Sequence, residues 1–545
     1  MTEEKSFELS RRGLLQGAGA AAGTVGLGLT FGGPGGIASV AAQDEATTLV
    51  EGFVGDFGLL APIVDANRQT LLLFDALVAV DPATLLPVPN LASSWTVSDD
   101  GLTYVFTLDT TAKFHDGEVL DADDVKFTFD LLLNEATASG YFSLFSPRVA
   151  SVEATDPGTV TITLSAPSPT FLNDLSAYSI GILPQHLLAD VKPEELAASE
   201  FATTSPVGTG PFKLNEYRTG EALILDPNPD YHRGAPKLGG YVLKILADGT
   251  VAYQQLKTGE VDVTPVGADF YEDAQAQENF TPVVIDTFAI TFLAFNQDPE
   301  KGPAPLKDLE VRKALFHAID RQLIIDSIYS GLGQVAVGSQ PPASWAHSPD
   351  EITETFDYDP AVAAQILDAA GWVPGDDGIR AKDGERLAFT ALGSDSKEGE
   401  GTVLALQEFF AEIGVELTPA LEGDTFFDTL LAHDYGVALV SYTFAPDPDQ
   451  SLAWASDSIY NAWSFSNARV DELLKEGLAT SDVEVRKPIY LEVQNIIQAE
   501  LPAAVLFFPQ RVTGVNNRVA NYTPTAVGYY WAIAYDAPTW EIAAE

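Results

Sequence analysis

"LASSWTVSDDGLTYVFTLDTTAKFHDGEVLDADDVKFTFD", residues 91–130, holds a strand pattern and a helix pattern within forty residues. Tyr104, Phe106 and Leu108 alternate with Val105 and Thr107, the period-two signature of a half-buried strand. Phe114-His115-Asp116-Gly117 reads as a strand entering a turn, with Asp-Gly supplying the turn chemistry. Beyond it, Val125, Phe129, Leu132 and Leu133 recur at helical spacing behind a run of aspartates suited to capping. The same mixture continues outward. Val160, Ile162 and Leu164 alternate with threonines as a further strand. "DLEVRKALFHAIDRQLIIDSIYSG" predicts a helix from an Asp308 cap to a stop at Gly331, with Val311, Leu315, Ala318 and Ile319 on one face. "YDPAVAAQILDAAGW" predicts another, with Asp359 as cap, Pro360 in the first turn, Ile366 and Ala370 facing inward and Gly371 at the end. Pro488 inside "SDVEVRKPIYLEVQNII" implies a helix that starts late or bends. The chain is therefore mixed α/β throughout.

At 545 residues it exceeds what one hydrophobic core organises, so two lobes are expected. With 29 basic against 78 acidic residues the formal net charge is −49, and no cluster of lysine and arginine is available to neutralise phosphates. Nucleic acid is excluded as a partner. A solvated acidic surface accounts for the charge; adaptation to a saline exterior is the sharper alternative. There is no cysteine, which removes disulfides, thiolate metal sites, cysteine nucleophiles and a lipid-modified cysteine anchor. Histidines at 115, 186, 232, 317, 347 and 433 lack metal-ligand spacing, and neither a metal nor a cofactor is expected. Nor does a G-x-S-x-G, H-E-x-x-H or nucleotide-binding loop occur, and Gly208-Thr209-Gly210 reads as a tight turn.

The N-terminus carries an address. A polar Met1–Ser10 precedes Arg11-Arg12, a weakly apolar stretch rich in Gly and Ala, and the small residues Val40-Ala41-Ala42. Residues 1–42 are expected to be an export signal of the twin-arginine type, leaving the working protein from about Gln43 in the periplasm or on the outer face of the cytoplasmic membrane. The alternative, an uncleaved anchor, is opposed by the glycines and Pro34. Composition shifts near "TFLAFNQDPEKGPAP", residues 291–305, where an apolar strand meets a proline-rich loop. The expected division is lobe I over 43–292 with an extra subdomain at about 80–205, lobe II over 293–508, and a C-terminal return to lobe I over 509–545 after a buried strand "AAVLFFPQR" that ends at Pro509. Two crossings between lobes make a two-stranded hinge.

Eight stretches in one order resemble the family 5 extracellular solute-binding proteins, the receptors of ABC importers for peptides, nickel chelates and some oligosaccharides. They are the opening stretch, "PVGTGPFKL" at 206–214, "PDYHRGAPKL" at 229–238, "LKTGEVDV" at 256–263, "LAFN" at 293–296, "VRKALFHAIDRQLI" at 311–324, "YDPAVAAQILDAAGW" at 358–372 and "APDPDQ" at 445–450. The resemblance implies a two-lobed periplasmic-binding-protein-like fold of type II, in its large cluster with an extra subdomain in lobe I. It also implies a monomeric receptor that captures an oligopeptide or oligosaccharide between its lobes and delivers it to permease subunits driven by separate ATPase subunits. No catalysis is expected.

In peptide-binding relatives an aspartate three residues before the Asp-Pro turn holds the peptide ammonium; here that place is Phe444. A phenyl ring offers only a cation–π contact of about 0.5 to 2 kcal/mol, so free-amine peptides lose ground and oligosaccharides gain it. The second-lobe candidates for the pocket are Tyr442, Phe444, Asp447, Trp454, Asn461, Trp463 and Phe465, with Trp345. Asp447, with its proline neighbours, also suits a plain turn, and half of the aromatics are expected in the core. From the first lobe the resemblance points to Asp56, Phe57, Tyr141 and Phe288. Two other functions use the same residues differently. A secreted glycoside or peptide hydrolase would need a carboxylate pair at a set separation, and a chemosensory receptor would keep the scaffold and change its membrane partner.

Overall fold

The computed structural model describes residues 47–522 except 66, 83, 85, 178 and 179, together with 524 and 535–543. Residues 1–42, where an export signal is expected, lie outside the described residues, as does much of the C-terminal segment. In chain order the principal strands begin with β1 (Thr48–Val54), then β2 (Ala92–Val97), β3 (Thr103–Leu108), β4 (Val149–Asp156) and β5 (Thr159–Leu164). Next come β6 (Phe212–Arg218), β7 (Ala222–Pro227), β8 (Gly240–Leu246), β9 (Val263–Val266) and β10 (Phe280–Asp286). The second half supplies β11 (Ala289–Phe295), β12 (Gly333–Val335), β13 (Ala388–Ser394), β14 (Glu416–Glu422), β15 (Val437–Thr443) and β16 (Ala503–Asn516). Strands β2 to β5 form a separate antiparallel sheet in the order β2-β3-β5-β4. The large sheet runs β14-β13-β15-β11-β16-β9-β1-β8-β7-β6, with β10 and β12 also paired to β16.

β16 joins the two halves. Its first part pairs with β11 and β12, and from Gln510 onward it pairs with β10 and β9. The strand does not end at Pro509 as the sequence suggests. Proline lacks an N–H and is tolerated where no ladder bond needs one; here it sits at the change of partners, its carbonyl accepting from Thr287 Oγ1 at 2.6 Å. The second passage between halves is the short step Thr287–Phe288 from β10 to β11, so the composition shift at 291–305 follows the passage.

The buried apolar residues gather in several clusters. The first gathers Leu49, Phe106, Phe129, Ile162, Tyr241 and Leu243. In the second half β11 is buried along its whole length: Leu293 and Phe295 serve one cluster, Ile290, Phe292 and Ala294 another. That two-sided burial explains its unbroken apolar run. The alternating residues of β3 and β5 face the first core as expected.

Helices start where their caps allow. In α1 (Ala122–Leu132) Asp121 accepts from the amides of Asp123 and Asp124, Asp124 accepts back from Asp121, and Val125, Phe129 and Leu132 are buried while Leu133 forms the half-buried cap. The single helix expected over 308–331 is two, α2 (Leu309–His317) and α3 (Arg321–Ile328), because Asp320 accepts from Leu323 N and caps afresh. In α4 (Pro360–Ala369) Asp359 caps as expected; Ala363 and Leu367 are the buried positions, with Ile366 and Ala370 half-buried beside them. Further along the chain than α5 (Lys397–Glu412), α6 (Val483–Glu500) begins at Val483 and accommodates Pro488 inside it, with Arg486, Tyr490, Val493 and Ile497 buried. The late start inferred from Pro488 is not observed.

The Phe-His-Asp-Gly and Gly-Thr-Gly motifs meet. His115 Nδ1 accepts from Gly208 N at 3.2 Å, and its Nε2 lies 3.1 Å from the Gly210 carbonyl, which fixes a neutral ring with the proton on Nε2. A Cβ on Gly208 would stand 1.9 Å from the Leu73 carbonyl oxygen, and one on Gly210 2.5 Å from that of Leu72. Both glycines are therefore required for close backbone approach. Burial depresses the His115 pKa to about 4. Because the folded ring is less basic than the unfolded one, near 6.5, its contribution is complete above that pH and is lost as pH falls toward 4. We expect about 2.5 kcal/mol of unfolding free energy to disappear between pH 7 and 4.5 from this group; urea unfolding of His115→Gln should show a pH dependence shallower by that amount.

Candidate functional site

Val266 pairs with Val512, and Thr443 with Ala289. The carboxyl ends of the parallel strands β1, β8 and β9 in one half, and of β13, β14 and β15 in the other, therefore point toward the crossing from opposite sides. Loops at such strand ends are where open α/β sheets place ligands. After β15 the chain turns through Phe444–Gln450, with Phe444 N donating to the Phe288 carbonyl at 3.1 Å. Asp447 is buried and takes a bidentate pair of bonds from Arg486, both 2.7 Å, while Arg486 also donates to Tyr490 Oη at 2.9 Å. The guanidinium carbon of Arg486 stands 5.3 Å from the ring centroid of half-buried Trp345. Gln340 donates to the Pro448 carbonyl and Gln450 to that of Ser339, at 2.7 and 2.6 Å, which ties the Trp345 loop to the 444–450 turn.

The first half answers with Asp174, on the helix Phe171–Ala177, bonded to Arg148 at 2.6 Å and to Thr170 at 2.8 Å. Burial raises the pKa of Asp174; Arg148 and Thr170 work against that, and the carboxylate of Asp447 across the crossing raises it further. Burial likewise raises Asp449, which has Ser451 bonded to it and Asp447 beside it.

Expected site residues separate into two groups. Phe444, Trp345 and Asp447 share one region at the crossing with Phe288, and Asp56 is exposed just past the carboxyl end of β1. Tyr141 is half-buried against the first core. The others face inward. Phe57 is 1 % exposed, packed between Phe53 and Tyr217. Trp454 and Trp463, with Tyr442, surround Phe292 at centroid distances of 5.0 to 6.0 Å, and Phe465 is buried in the same cluster. Asn461 spends its side chain on the backbone of Ala455 and Phe465, closing its own loop. Phe57, Tyr442, Trp454, Asn461, Trp463 and Phe465 therefore serve packing, because aromatic density marks a core as readily as a pocket.

A shallow recess inside the first half, lined by Leu71, Phe74, Asp75, Asn90, Arg233 and Tyr535 among others, contains none of the expected residues. Its polar groups are largely bonded together: Asp75 accepts from Asn90, Thr209 and Tyr231, and Arg233 donates to the Tyr535 carbonyl. Among the described residues no cluster of ligating side chains could hold a metal, and no helix is long and apolar enough to cross a membrane.

Residues 87–462 match the bacterial extracellular solute-binding proteins, family 5 Middle. The chain belongs to that family. Its function is solute binding for ABC import, without catalysis, outside the cytoplasm. It is 28% identical over 496 residues to the oligopeptide-binding protein AppA of Bacillus subtilis, covering 89% of this chain and 90% of that one. The structure of AppA with a nonapeptide superposes with a TM-score of 0.70 at 27% identity, covering 91% of this chain and 99% of AppA. NikZ of Campylobacter jejuni, in complex with Ni(L-His), gives 0.71 at 28% identity over the same shares. HbpA2 of Haemophilus parasuis reaches 0.80 at 23% identity, covering 91% of this chain and all of its own, a likeness of fold alone.

Within this solute-binding protein the residues that organise the crossing include several that no sequence motif announces. Arg486 lies 39 residues from Asp447, Gln340 108 from Pro448, and Arg148 26 from Asp174; only the order of apolar and polar residues on α6 hinted that Arg486 turns inward. A buried pair broken on one side leaves an uncompensated charge. Asp447→Asn or Arg486→Met should each lower the unfolding free energy by about 3 to 5 kcal/mol in urea titrations, and the double variant should cost less than the sum.

Proposed function

We propose that this protein is the receptor of an ABC importer that closes two lobes, about 43–292 with 509–545 and 293–508, over a peptide and presents it to permease subunits served by separate ATPases. The observation that carries the peptide reading is a free strand edge. β15 pairs with β11 along its whole length but with β13 only at Val437 and Ala438. From Leu439 to Thr443 the other edge has no strand partner among the described residues, and it leads to the crossing. An extended peptide can add itself to such an edge through main-chain hydrogen bonds. With Phe444 at the family's ammonium position and Asp447 committed to Arg486, recognition rests on the peptide backbone more than on a free N-terminus.

An oligosaccharide is the second reading. It is favoured by Trp345, which keeps a half-buried ring at the crossing with Arg486 on it, since aromatic faces also suit sugar rings. A chemosensory receptor would use the same geometry and differ in its membrane partner. Export by the twin-arginine signal at 1–42, a monomeric state and the absence of a cysteine lipid anchor complete the proposal.

Thermal-shift measurements with free and N-acetylated peptides, cello- and xylo-oligosaccharides and nickel chelates separate these readings. We expect peptides of both kinds to raise Tm comparably, as saturable binding stabilises the folded state by about 2.7 kcal/mol at a hundredfold excess over Kd; stabilisation by oligosaccharides alone would favour the second reading. Phe444→Asp should raise affinity for free-amine peptides about tenfold or more, in line with a charge-assisted hydrogen bond, and leave N-acetylated ones unimproved. No gain across a peptide panel would show that position 444 is not where the N-terminus lies.

A further inference from the structure

Among the described residues, one ion pair joins the two halves away from the passages themselves. Lys397 Nζ lies 2.5 Å from Asp269 Oδ1. Asp269 follows the carboxyl end of β9, and Lys397 follows that of β13; the pair spans the two strand ends that face each other. Other bonds between the halves cluster at the passages, where Gln334 and Gln510 share Asp286 and Thr287 meets Pro509.

Three features mark Lys397 as placed for this contact. It is the first residue of α5, where the positive end of the helix disfavours a cation and prefers an anion. In a chain with 29 basic residues against 78 acidic ones, a lysine is a scarce charge. Its own helix turn holds Glu398 and Glu400 nearby, yet its ammonium is directed to a carboxylate 128 positions away in sequence.

We propose that Lys397–Asp269 is a latch that holds the two halves closed and makes the open–closed equilibrium of the unliganded protein depend on ionic strength. Both side chains are about two-thirds exposed, 64% and 63%. An exposed pair contributes little, so removing it should shift the closure equilibrium by about two- to fivefold. Raising salt from about 10 mM to 1 M, which shortens the screening length from about 30 to 3 Å, should release it.

The absence of native cysteine makes the test direct. One cysteine is introduced at an exposed position in each half, Ala166→Cys and Ala479→Cys, and the pair is labelled for single-molecule energy transfer without ligand. Lys397→Glu and Asp269→Lys should each lower the closed population two- to fivefold or more at low salt. The double variant, which restores opposite charges in reverse, should recover it, and high salt should erase the differences. Single variants that leave the distribution unchanged, a double variant that fails to recover closure, or a wild-type protein with no closed population would each overturn the latch. Thermal unfolding of the variants should stay within about a degree of wild type, which distinguishes a shifted equilibrium from a damaged fold. Because no ligand enters, failure here leaves the peptide reading to its own test.

Discussion

A strand that changes partners halfway along is the constraint on which the rest depends. β16 gives its first residues to the sheet of the second half and its last to that of the first. Backbone hydrogen bonds fix both registers, and the chain passes between the halves only near Pro509 and at Thr287–Phe288 among the described residues. Sheets built on either side of one strand must also present their ends to each other. That is why the loops after β1, β8 and β9 confront those after β13, β14 and β15, and why residues far apart in sequence share one region.

The chemistry at that region follows from burial. An aspartate enclosed beside apolar rings must find a cation or become neutral, and Asp447 finds Arg486 in a two-pronged geometry that a lysine would not reproduce. Glutamine amides then hold the neighbouring turns by their carbonyls. On the second half the side chains of Asp447, Arg486, Gln340 and Gln450 are thus committed to one another and to backbone, next to a strand that has no second strand partner beyond Ala438 among the described residues.

Much of the fold was legible in sequence because its signals are local. Asp121 and Asp359 cap helices that their apolar spacing had already drawn, and the alternation in β3 and β5 matches their buried faces. What failed locally failed for local reasons: Asp320 restarts a helix where apolar periodicity runs straight through, and Pro509 looks like a terminus when it is a change of partner. The site was harder to read. Trp454 and Trp463 carry the same rings that a pocket would use, and only the position of Phe292 beneath them makes them core. Arg486 belongs to a helix whose sequence interior already contains a proline, and nothing at its own position names Asp447 as partner. Long-range pairing has no sequence period, so a single chain does not display it.

The tryptophans carry one further consequence. Those packed around Phe292 keep a constant apolar environment, and Trp540 and Trp372 are likewise enclosed. Trp345 alone among the described tryptophans stands at the crossing, with a guanidinium over its ring and part of its surface open. An indole with part of its surface open differs in this from the enclosed ones around Phe292, and its emission is the one that answers to what stands beside it at the crossing.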